Sequence, residues 1–273
     1  MFSAVVTAGG LGTRIYPYSL AIPKEMLPLL VKRNGRFFVV PVLHYIFEAL
    51  YDAGFRRFYF VVGRGKQAIE DYFTPTYPGS VKPGTGWFIE DFIGKVSSSS
   101  IVFIRQPEPL GFGDAVLRTE PFMVDDVFLV HAGDDIVYPG HTGAITALVR
   151  HYMEYEPDIV FLYDYSMEAE RYGVIVGDDA GGYIVVRDIV EKPKKPPSNM
   201  VVVAVYIFKR SIYEALRRTR PMSGEHQLTD AIKHTISTGG VVHAVRVPGR
   251  RLDLGTPETY LDALRVLVDH GAG

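Results

Sequence analysis

The residues of this chain best suited to chemistry lie together near its start, in the stretch AVVTAGGLGTRIYPYSLAIPKEMLPL. Gly9, Gly10 and Gly12 follow an apolar run typical of a strand, and their lack of side chains lets backbone N–H groups approach an anion closely. Arg14 adds a planar cation that can grip a phosphate, and Lys24, held between two prolines, adds a compact one. This combination predicts a local site for a phosphate-bearing ligand.

Neither of the two common glycine-rich phosphate motifs fits this stretch. A dinucleotide fingerprint needs the frame G-x-G-x-x-G, which these glycines do not complete. A P-loop needs lysine and then serine or threonine directly after its last glycine, whereas Gly12 is followed by Thr13 and Arg14. A glycine turn beside a surface arginine would explain the glycines alone. The whole string, with its lysine between prolines, favours the anion site.

The composition of the chain limits what such a site can bind. The 273 residues are 47% hydrophobic, enough for a sizeable core, and the formal net charge of -2 lacks the basic excess typical of nucleic-acid-binding proteins. The absence of cysteine excludes disulfides, thiolate metal sites and cysteine nucleophiles. The sequence shows no signal peptide and no apolar run long enough to span a bilayer. We therefore expect a soluble, cytoplasmic protein with no nucleic-acid partner and no membrane contact.

The order of apolar and helical patterns predicts an α/β fold. Strand-like runs alternate with helix-like stretches in the first part of the chain, as in a sheet of βαβ units. After Tyr172 the strands come close together, helices return near Ser211 and Gln227, and a last helix follows Thr256. We expect a doubly wound, mostly parallel, Rossmann-like sheet with a smaller β-rich part. The predicted strands are AVVTA, RFYFVVG, SIVFIRQ, DVFLVHAG, DIVFLYDY, YGVIVGD, YIVVRDIVEKP, MVVVAVYIF and VVHAVRV.

Two local features can be predicted within this order. The first helix is expected to begin at Pro41 and to stop at Gly54. The tract from Thr74 to Ser100 is rich in proline, glycine and serine, which predicts an insertion that is either a mobile flap or a plain surface loop. The buried face of the first helix is expected to carry Leu43, Ile46, Phe47 and Leu50.

The pair of motifs AGGLGTR and IPKEMLPL resembles the sugar-1-phosphate nucleotidyltransferases, especially the bacterial-type UTP:glucose-1-phosphate uridylyltransferases. The resemblance continues in order over most of the chain. It implies one nucleotidyltransferase domain over residues 1–273, with a nucleotide-binding core at about 1–165 and a sugar-phosphate-binding part with the closing helices at about 166–273. The further motifs are RQPEPLGFGDAVL, HAGDDIVYPG, YGVI, EKPKKPPSN, GEHQLTDAI and RRLDLGTPETYL.

The resemblance implies transfer of a uridylyl group from UTP to glucose 1-phosphate, which gives UDP-glucose and pyrophosphate. Two anions meet when the sugar-phosphate oxygen attacks the α-phosphorus, so charge repulsion is the main obstacle. Such transfers depend on positioning and on cations rather than on a protein nucleophile. The implied cofactor is Mg²⁺, which prefers one or two carboxylates completed by water and phosphate oxygens.

Two aspartates are the candidate ligands for this metal. Asp134 follows an apolar strand, at the sheet edge where α/β proteins form their sites. Asp135 is the close alternative. By resemblance, however, the ligand is Asp134, the first acidic residue after Gly133, and strand alternation would point the Asp135 side chain elsewhere. Asp253, just before the expected N-cap Thr256 of the last helix, resembles the second metal aspartate of the family.

The other site residues follow from the resemblance together with their chemistry. Gln106 can both donate to and accept from the edge of a pyrimidine, and Gly111 follows in a turn where a base could lie against backbone. Glu25 either touches the nucleoside or forms a structural salt bridge. The resemblance implies catalysis by Arg14, Lys24 and Asp134, nucleotide binding by Ala8, Gly9, Gly10, Gly12, Thr13, Glu25, Gln106 and Gly111, and sugar-phosphate binding by Gly173, Glu191 and Lys192.

Two positions depart from the family pattern. Ala204 stands where the family usually has a glycine beside the sugar, and its methyl group would narrow the hexose pocket. Asp114 stands where uridylyltransferases often have histidine. Both changes bear on the choice of substrate more than on the type of reaction.

Two other functions stay open at this point. A thymidylyltransferase that uses dTTP is the nearest enzyme, although the long tract between Tyr72 and Ser100 favours the uridylyltransferases. A non-catalytic regulatory relative that binds sugar nucleotides would be expected to lose Arg14, Lys24 or a metal aspartate, and this chain has them all. The resemblance also implies a homo-oligomer, either a dimer or a tetramer.

Overall fold

The computed structural model describes residues 2–74, 86–221 and 224–271. Short 3₁₀ helices lie at Thr13–Ile15, Tyr18–Leu20, Lys24–Met26 and Ala169–Arg171. The α-helices are α1 Val42–Asp52, α2 Gln67–Phe73, α3 Gly86–Ser97, α4 Phe112–Leu117, α5 His141–Tyr155, α6 Ile212–Arg218, α7 Leu228–Ser237 and α8 Pro257–Gly271. The strands are β1 Ser3–Ala8, β2 Pro28–Arg33, β3 Arg36–Pro41, β4 Arg57–Val62, β5 Ser100–Arg105, β6 Val127–Ala132, β7 Asp135–Tyr138, β8 Ile159–Tyr165, β9 Gly173–Asp179, β10 Ile184–Glu191, β11 Met200–Lys209, β12 Val242–Arg246 and β13 Arg250–Asp253.

A nine-stranded mixed sheet in the order β5-β4-β1-β6-β11-β8-β12-β10-β9 forms the centre of the molecule. The first four strands are parallel, and β8 is parallel to β12. Strand β11 is antiparallel to both β6 and β8, and β10 is antiparallel to both β12 and β9. Among the described residues, β10 and β11 therefore run against the other strands of this sheet.

Apolar cores cover both faces of the central sheet. Successive residues of β1 point to opposite sides, so Val5 belongs to one core, while Ala4 and Val6 belong to the other. Helices α1, α3, α5 and α8 contribute to the core around Val6, and α4, α6 and α7 to the core around Val5. Burial from both sides explains why the strands are nearly continuous apolar runs. The predicted mixed α/β fold with a central sheet and flanking helices is confirmed.

The first and last helices lie close to their predicted places. Helix α1 begins at Val42 rather than Pro41, which is the last residue of β3. Gly54 has φ 100°, a conformation that suits the stop of a helix. Before α8, the Thr256 hydroxyl accepts a hydrogen bond from the Thr259 N–H (3.2 Å), so Thr256 is the predicted N-cap. The face of α1 predicted to be buried is fully buried, at Leu43, Ile46, Phe47 and Leu50.

The sequence analysis missed a hairpin formed by β2 and β3. Arg33 pairs with Arg36 across a two-residue loop, in which Asn34 has φ 49° and Gly35 has φ 75°. Positive φ at both loop positions is the requirement of a type I′ turn, which Asn-Gly meets better than most pairs. The dipeptide Asn-Gly between apolar runs was therefore a usable signal in the sequence.

Residues 74–100 were predicted to form a flap or a surface loop. This prediction is wrong for residues 86–97, which form a helix. Helix α3 covers residues 86–97 and buries Phe88, Phe92 and Val96. The Phe92 ring stacks on His44 of α1, with 4.3 Å between ring centroids. Apolar spacing along this segment therefore determined its structure more than its flanking prolines and glycines. Residues 75–85 of the tract lie outside the described residues.

No helix in the described ranges combines the length and the apolar character needed to cross a membrane.

Candidate active site

A cavity of about 490 Å³ opens beside the residues that follow three of the four parallel strands at one side of the sheet. Its lining includes Gly9 after β1, Gln106 after β5 and Asp134 after β6. The carboxyl ends of parallel strands are the usual place for a site in an open α/β sheet. Ala8 does not line the cavity, because it is buried as the last residue of β1. The other predicted site residues in the lining are Gly10, Gly12, Thr13, Arg14, Lys24, Glu25, Gly111, Gly173, Glu191, Lys192 and Asp253.

Gly9 and Gly12 of the first loop are required by the protein structure itself, whereas Gly10 is not. A β-carbon at Gly9 would overlap the Gln106 side-chain oxygen, and Gly12 has φ 67°, which favours glycine. A β-carbon at Gly10 would meet nothing nearer than the end of Lys24, at 3.8 Å. The protein fold itself therefore requires Gly9 and Gly12, whereas the space above Gly10 remains for a ligand.

We expect Gly10→Ala to weaken substrate use without weakening the fold. The added methyl group enters the cavity where a nucleotide phosphate would approach the backbone, so kcat/KM for the nucleotide should fall by about tenfold, the loss of one hydrogen bond to a charged group. Steady-state kinetics and Tm would measure the two effects. Gly143→Ala, on the exposed face of α5, is the matched control and should leave kcat/KM unchanged. Normal kinetics in Gly10→Ala would place the phosphates elsewhere.

Lys24 and Asp134 form an ion pair inside the cavity. Burial opposes the charge of Lys24, but the carboxylates of Asp134 and Glu25 raise its pKa. Burial likewise opposes the charge of Asp134, yet Lys24 and, less strongly, Arg14 lower the pKa of that carboxyl group. The cavity therefore presents a charged ammonium group and an ionised carboxylate side by side.

The neighbouring aspartates lie in different electrostatic surroundings. Asp135 also lines the cavity, which corrects the expectation that strand alternation points it elsewhere. Its carboxylate accepts a bifurcated hydrogen bond from the Arg251 Nε–H (3.0 and 2.9 Å to its two oxygens) and one from the Ala204 N–H (3.1 Å). Burial raises the pKa of Asp135 to about 6, against the opposing effect of Arg251. Asp135 is thus fully engaged by the protein.

Asp253 is brought to the cavity by the pairing of β7 with β13. The register sets Asp253 opposite Asp135, next to Asp134 in the chain. The Asp253 carboxylate accepts hydrogen bonds from the Gly255 N–H (2.9 Å) and the Tyr172 hydroxyl (3.2 Å).

Asp134 and Asp253 offer a donor set that fits a magnesium ion. The described residues contain no group of three or more histidine, aspartate or glutamate side chains able to hold a metal by themselves. Two carboxylates in the lining of a polar cavity match the coordination preference of Mg²⁺, whose remaining coordination positions are filled by water and phosphate oxygens.

Gln106 is buried at 3% exposure, and the structure limits what its amide can do. Its Nε2 donates to the Gly111 carbonyl (3.1 Å) and to Asp114 Oδ2 (2.9 Å). Both amide hydrogens are thus used within the protein. The prediction that Gln106 donates and accepts together therefore needs correction, because its carbonyl oxygen, beside Gly9, is the group left for a ligand.

Glu25 forms the structural salt bridge that was one of its two predicted roles. Lys66 Nζ donates to Glu25 Oε2 (2.7 Å), and both side chains are buried. Burial raises the pKa of Glu25, against the opposing effect of Lys66 and Lys24. The pair fixes the loop that carries Lys24, although Glu25 still contributes to the cavity wall.

The opposite wall of the cavity comes from β9, β10 and α7. Glu191 accepts a hydrogen bond from the Thr229 hydroxyl (3.2 Å) and lies 3.3 Å from Lys192 Nζ. A β-carbon at Gly173 would approach Thr229 to 3.2 Å and Glu191 to 3.4 Å. A side chain at this position would therefore press on Thr229 and Glu191, and Gly173 itself lies in the cavity lining. Ala204, the position that departs from the family pattern, also lines it.

Lys192 has a backbone conformation that its side chain disfavours. Its φ of 41° lies in the left-handed region, while its N–H donates to the Tyr172 carbonyl (3.0 Å). A non-glycine residue in this region typically costs about 1 kcal/mol or more. Glycine would relieve this strain, so the presence of lysine at a strained position beside the cavity indicates that the lysine side chain has a function there.

We expect Lys192→Gly to separate stability from substrate binding. Glycine adopts positive φ without strain, so Tm should stay the same or rise. The lost ammonium group should raise KM for the sugar phosphate by roughly ten- to hundredfold, as for one charged hydrogen bond. Thermal unfolding and kinetics with the sugar phosphate varied would measure both. An unchanged KM would make Lys192 a solvated surface residue.

Several residues that shape the cavity were missed by the sequence analysis. The Arg251 guanidinium lies over the Tyr172 ring, 4.0 Å from its centroid, and Tyr172 in turn holds Asp253. Thr229 holds Glu191. All three lie inside motifs that carried the family resemblance, so their positions were noticed, but a single sequence does not reveal their contacts.

The chain belongs to the nucleotidyl transferase family, since the model of that family matches residues 3–269. It is 36% identical over 273 residues to the UTP–glucose-1-phosphate uridylyltransferase of Pseudomonas aeruginosa, covering 96% of this chain and 94% of that protein. It is 34% identical over 260 residues to such an enzyme of Bacillus subtilis, covering 92% and 86%. A solved UDP-glucose pyrophosphorylase complexed with UDP-glucose superposes with a TM-score of 0.87, at 28% identity and 99% coverage of both chains.

Proposed function

We propose that this protein transfers the uridylyl group of UTP to glucose 1-phosphate, which gives UDP-glucose and pyrophosphate. The carrying observation is the single cavity lined by Arg14, Lys24, Asp134 and Asp253, charges that distant parts of the chain bring together. A reaction between two anions needs cations to offset their repulsion and carboxylates that can bind a metal ion, and this cavity has both. The resemblance to uridylyltransferases over nearly the whole chain supports the same reaction.

The residues of the first loop and the lysine motif would hold the triphosphate. The space above Gly10 is open to the cavity, so backbone N–H groups of this loop would approach a phosphate there, and Thr13 lies in the same lining. Arg14 and Lys24 would orient the triphosphate and stabilise the charge that develops on it. The new bond joins the sugar-phosphate oxygen to the α-phosphorus, while the bond from the α-phosphorus to the pyrophosphate oxygen breaks.

Asp134 and Asp253 would hold Mg²⁺. Bound there, the ion would polarise phosphoryl oxygens and offset part of the negative charge of the two substrates. The salt bridge with Lys24 keeps Asp134 ionised, and the hydrogen bonds from Tyr172 and Gly255 orient Asp253.

The base and the sugar phosphate would occupy opposite ends of the cavity. We assign the base to Gln106 and Gly111, and the sugar phosphate to Gly173, Glu191 and Lys192. Glu191 can accept hydrogen bonds from sugar hydroxyls, and Lys192 is half exposed with its ammonium group near the cavity. Ala204 would limit the size of the hexose.

The finer description of the fold belongs to the same proposal. We regard the sheet as doubly wound and mostly parallel, with the nucleotide side at about residues 1–165 and the sugar-phosphate side at about 166–273 of one domain. Helices on both faces and the parallel strands around β1 support this description. A dimer or tetramer remains a prediction from the resemblance, and a cytoplasmic location remains a prediction from the composition of the sequence.

A panel of nucleotides with glucose 1-phosphate tests the proposal. We expect the highest kcat/KM with UTP and weaker use of dTTP, since one methyl group gives only about 10–200-fold discrimination. Purine nucleotides should be used least, because a second ring would have to fit beside Gln106 and Gly111 where we assign a single pyrimidine ring. Preference for dTTP would make the protein a thymidylyltransferase, and no pyrophosphate from any nucleotide would make it a non-catalytic relative. Galactose, mannose and N-acetylglucosamine 1-phosphates would test the effect of Ala204.

A further inference from the structure

Asp114 does not line the cavity, yet it contacts the residue assigned to the base. It lies in the first turn of α4 at 4% exposure. Its Oδ2 accepts one hydrogen bond from Gln106 Nε2 (2.9 Å) and another from Arg118 Nε (2.8 Å). Asp114 therefore acts on any ligand of the cavity through Gln106.

The surroundings of Gln106 determine which way its amide points. The two hydrogens of Nε2 are directed at oxygen atoms, the Gly111 carbonyl (3.1 Å) and Asp114 Oδ2. Rotating the amide by half a turn would set its carbonyl oxygen against these two acceptors, and one of them carries charge. The cost would be two lost hydrogen bonds and a repulsive contact. The carbonyl oxygen of Gln106 is therefore fixed toward the glycine loop and the cavity.

The first turn of α4, which carries Asp114, has little freedom to move. The Gly113 N–H donates to the His226 carbonyl (2.8 Å), and the His226 N–H donates to the Leu110 carbonyl (2.6 Å). A β-carbon at Gly113 would approach the His226 carbonyl oxygen to 2.9 Å. Arg118 holds the Asp114 carboxylate from the other side. The acceptor that faces Gln106 is thus held in place by two parts of the chain.

We propose that Asp114 is a positioning residue for base specificity, which locks Gln106 as a pure hydrogen-bond acceptor toward the nucleobase. This inference rests on the proposed function and explains how the same site selects a uracil nucleotide over a cytosine nucleotide. The ring N3 of uracil carries a hydrogen that the Gln106 carbonyl accepts. The N3 of cytosine carries a lone pair instead, and its amino group would reach the same oxygen only after the ring shifts. UTP is therefore favoured over CTP, while uracil and thymine are treated alike.

The test compares kcat/KM for UTP and CTP in Asp114→Leu and Asp114→Asn. Leucine removes the charged acceptor and leaves the Gly111 carbonyl, so it costs less for the Gln106 amide to turn and donate to cytosine N3. We expect the preference for UTP over CTP to fall by about tenfold or more in this variant. Asparagine keeps a carbonyl oxygen where both Gln106 and Arg118 donate, so it should retain most of the preference. If Asp114→Leu fails to fold, Asp114→Ala replaces it, and Tm is measured for every variant.

A double-mutant cycle with Gln106→Ala shows whether Asp114 acts through Gln106. We expect Asp114→Leu to change the UTP to CTP ratio in the wild-type background and to have no further effect on it in Gln106→Ala. The proposal would be overturned if Asp114→Leu lowered kcat/KM equally for both nucleotides, or if its effect on the ratio persisted without Gln106. An unchanged ratio in an enzyme that still uses UTP would reject this inference alone. Absence of turnover in the wild type would reject the proposed function instead.

Discussion

Asp134→Asn is expected to lower kcat by about 100-fold or more, with a smaller fall in Tm than Asp135→Asn causes, because the Lys24–Asp134 pair faces the open cavity and Lys24 keeps the carboxylate of Glu25 nearby. The substitution keeps the shape of the side chain but removes the charge that Asp134 would offer to Mg²⁺, and metal stabilisation of phosphoryl charge is worth several kcal/mol. It also removes the partner that orients Lys24. Turnover at saturating UTP, glucose 1-phosphate and Mg²⁺ would measure the loss.

The controls for this prediction use other aspartates of the chain. Asp253→Asn should give a loss of the same kind, because it removes the other carboxylate of the metal site. Asp178→Asn removes an exposed ion pair with Arg187 on the β9–β10 hairpin, so it should leave turnover unchanged. Full activity in Asp134→Asn would show that the metal is held elsewhere.

Asp135→Asn is expected to act mainly on stability. Removing this charge leaves the buried Arg251 guanidinium without its carboxylate, and breaking a buried ion pair typically costs about 3–5 kcal/mol. For a chain of this size we expect Tm to fall by roughly 10 °C. Differential scanning calorimetry would measure the change.

A second substitution separates the ion pair from other causes of instability. Arg251→Met added to Asp135→Asn removes the stranded cation, so the double variant should unfold at a higher temperature than Asp135→Asn alone. If Asp135→Asn left Tm unchanged and abolished turnover, Asp135 rather than Asp134 would be the metal ligand.

Much of the central sheet could be predicted because its strands carry their own signal. Runs such as those of β1, β4 and β6 are apolar at nearly every position, since both faces are covered. Strands β7 and β13 were missed because each has only four residues and mixes charged with apolar side chains. Yet the pairing of β7 with β13 brings Asp253 to the cavity. The short elements that complete the site were thus the least visible in the sequence.

The candidate site was predictable as a set of residues, but not as a set of contacts. Every site residue that the motif resemblance implied, apart from Ala8, lies in the cavity lining, but the lining also contains residues that were not predicted, among them Tyr172, Thr229 and Arg251. The resemblance could not show that Glu25 pairs with Lys66, 41 residues away, or that Arg251 pairs with Asp135, 116 residues away. Such contacts depend on how distant elements pack, which one sequence does not record. They show which protein groups each carboxylate of the cavity already contacts.

Product analysis of the wild-type protein with UTP, glucose 1-phosphate and Mg²⁺ tests the central claim most directly. The reaction would be separated by anion-exchange chromatography and its products identified by mass spectrometry, with Asp134→Asn run alongside. We expect UDP-glucose and pyrophosphate in equal amounts from the wild type, and a rate lower by about 100-fold or more from the variant. Folded wild-type protein that forms no UDP-glucose, or a variant that forms it at the wild-type rate, would contradict the account.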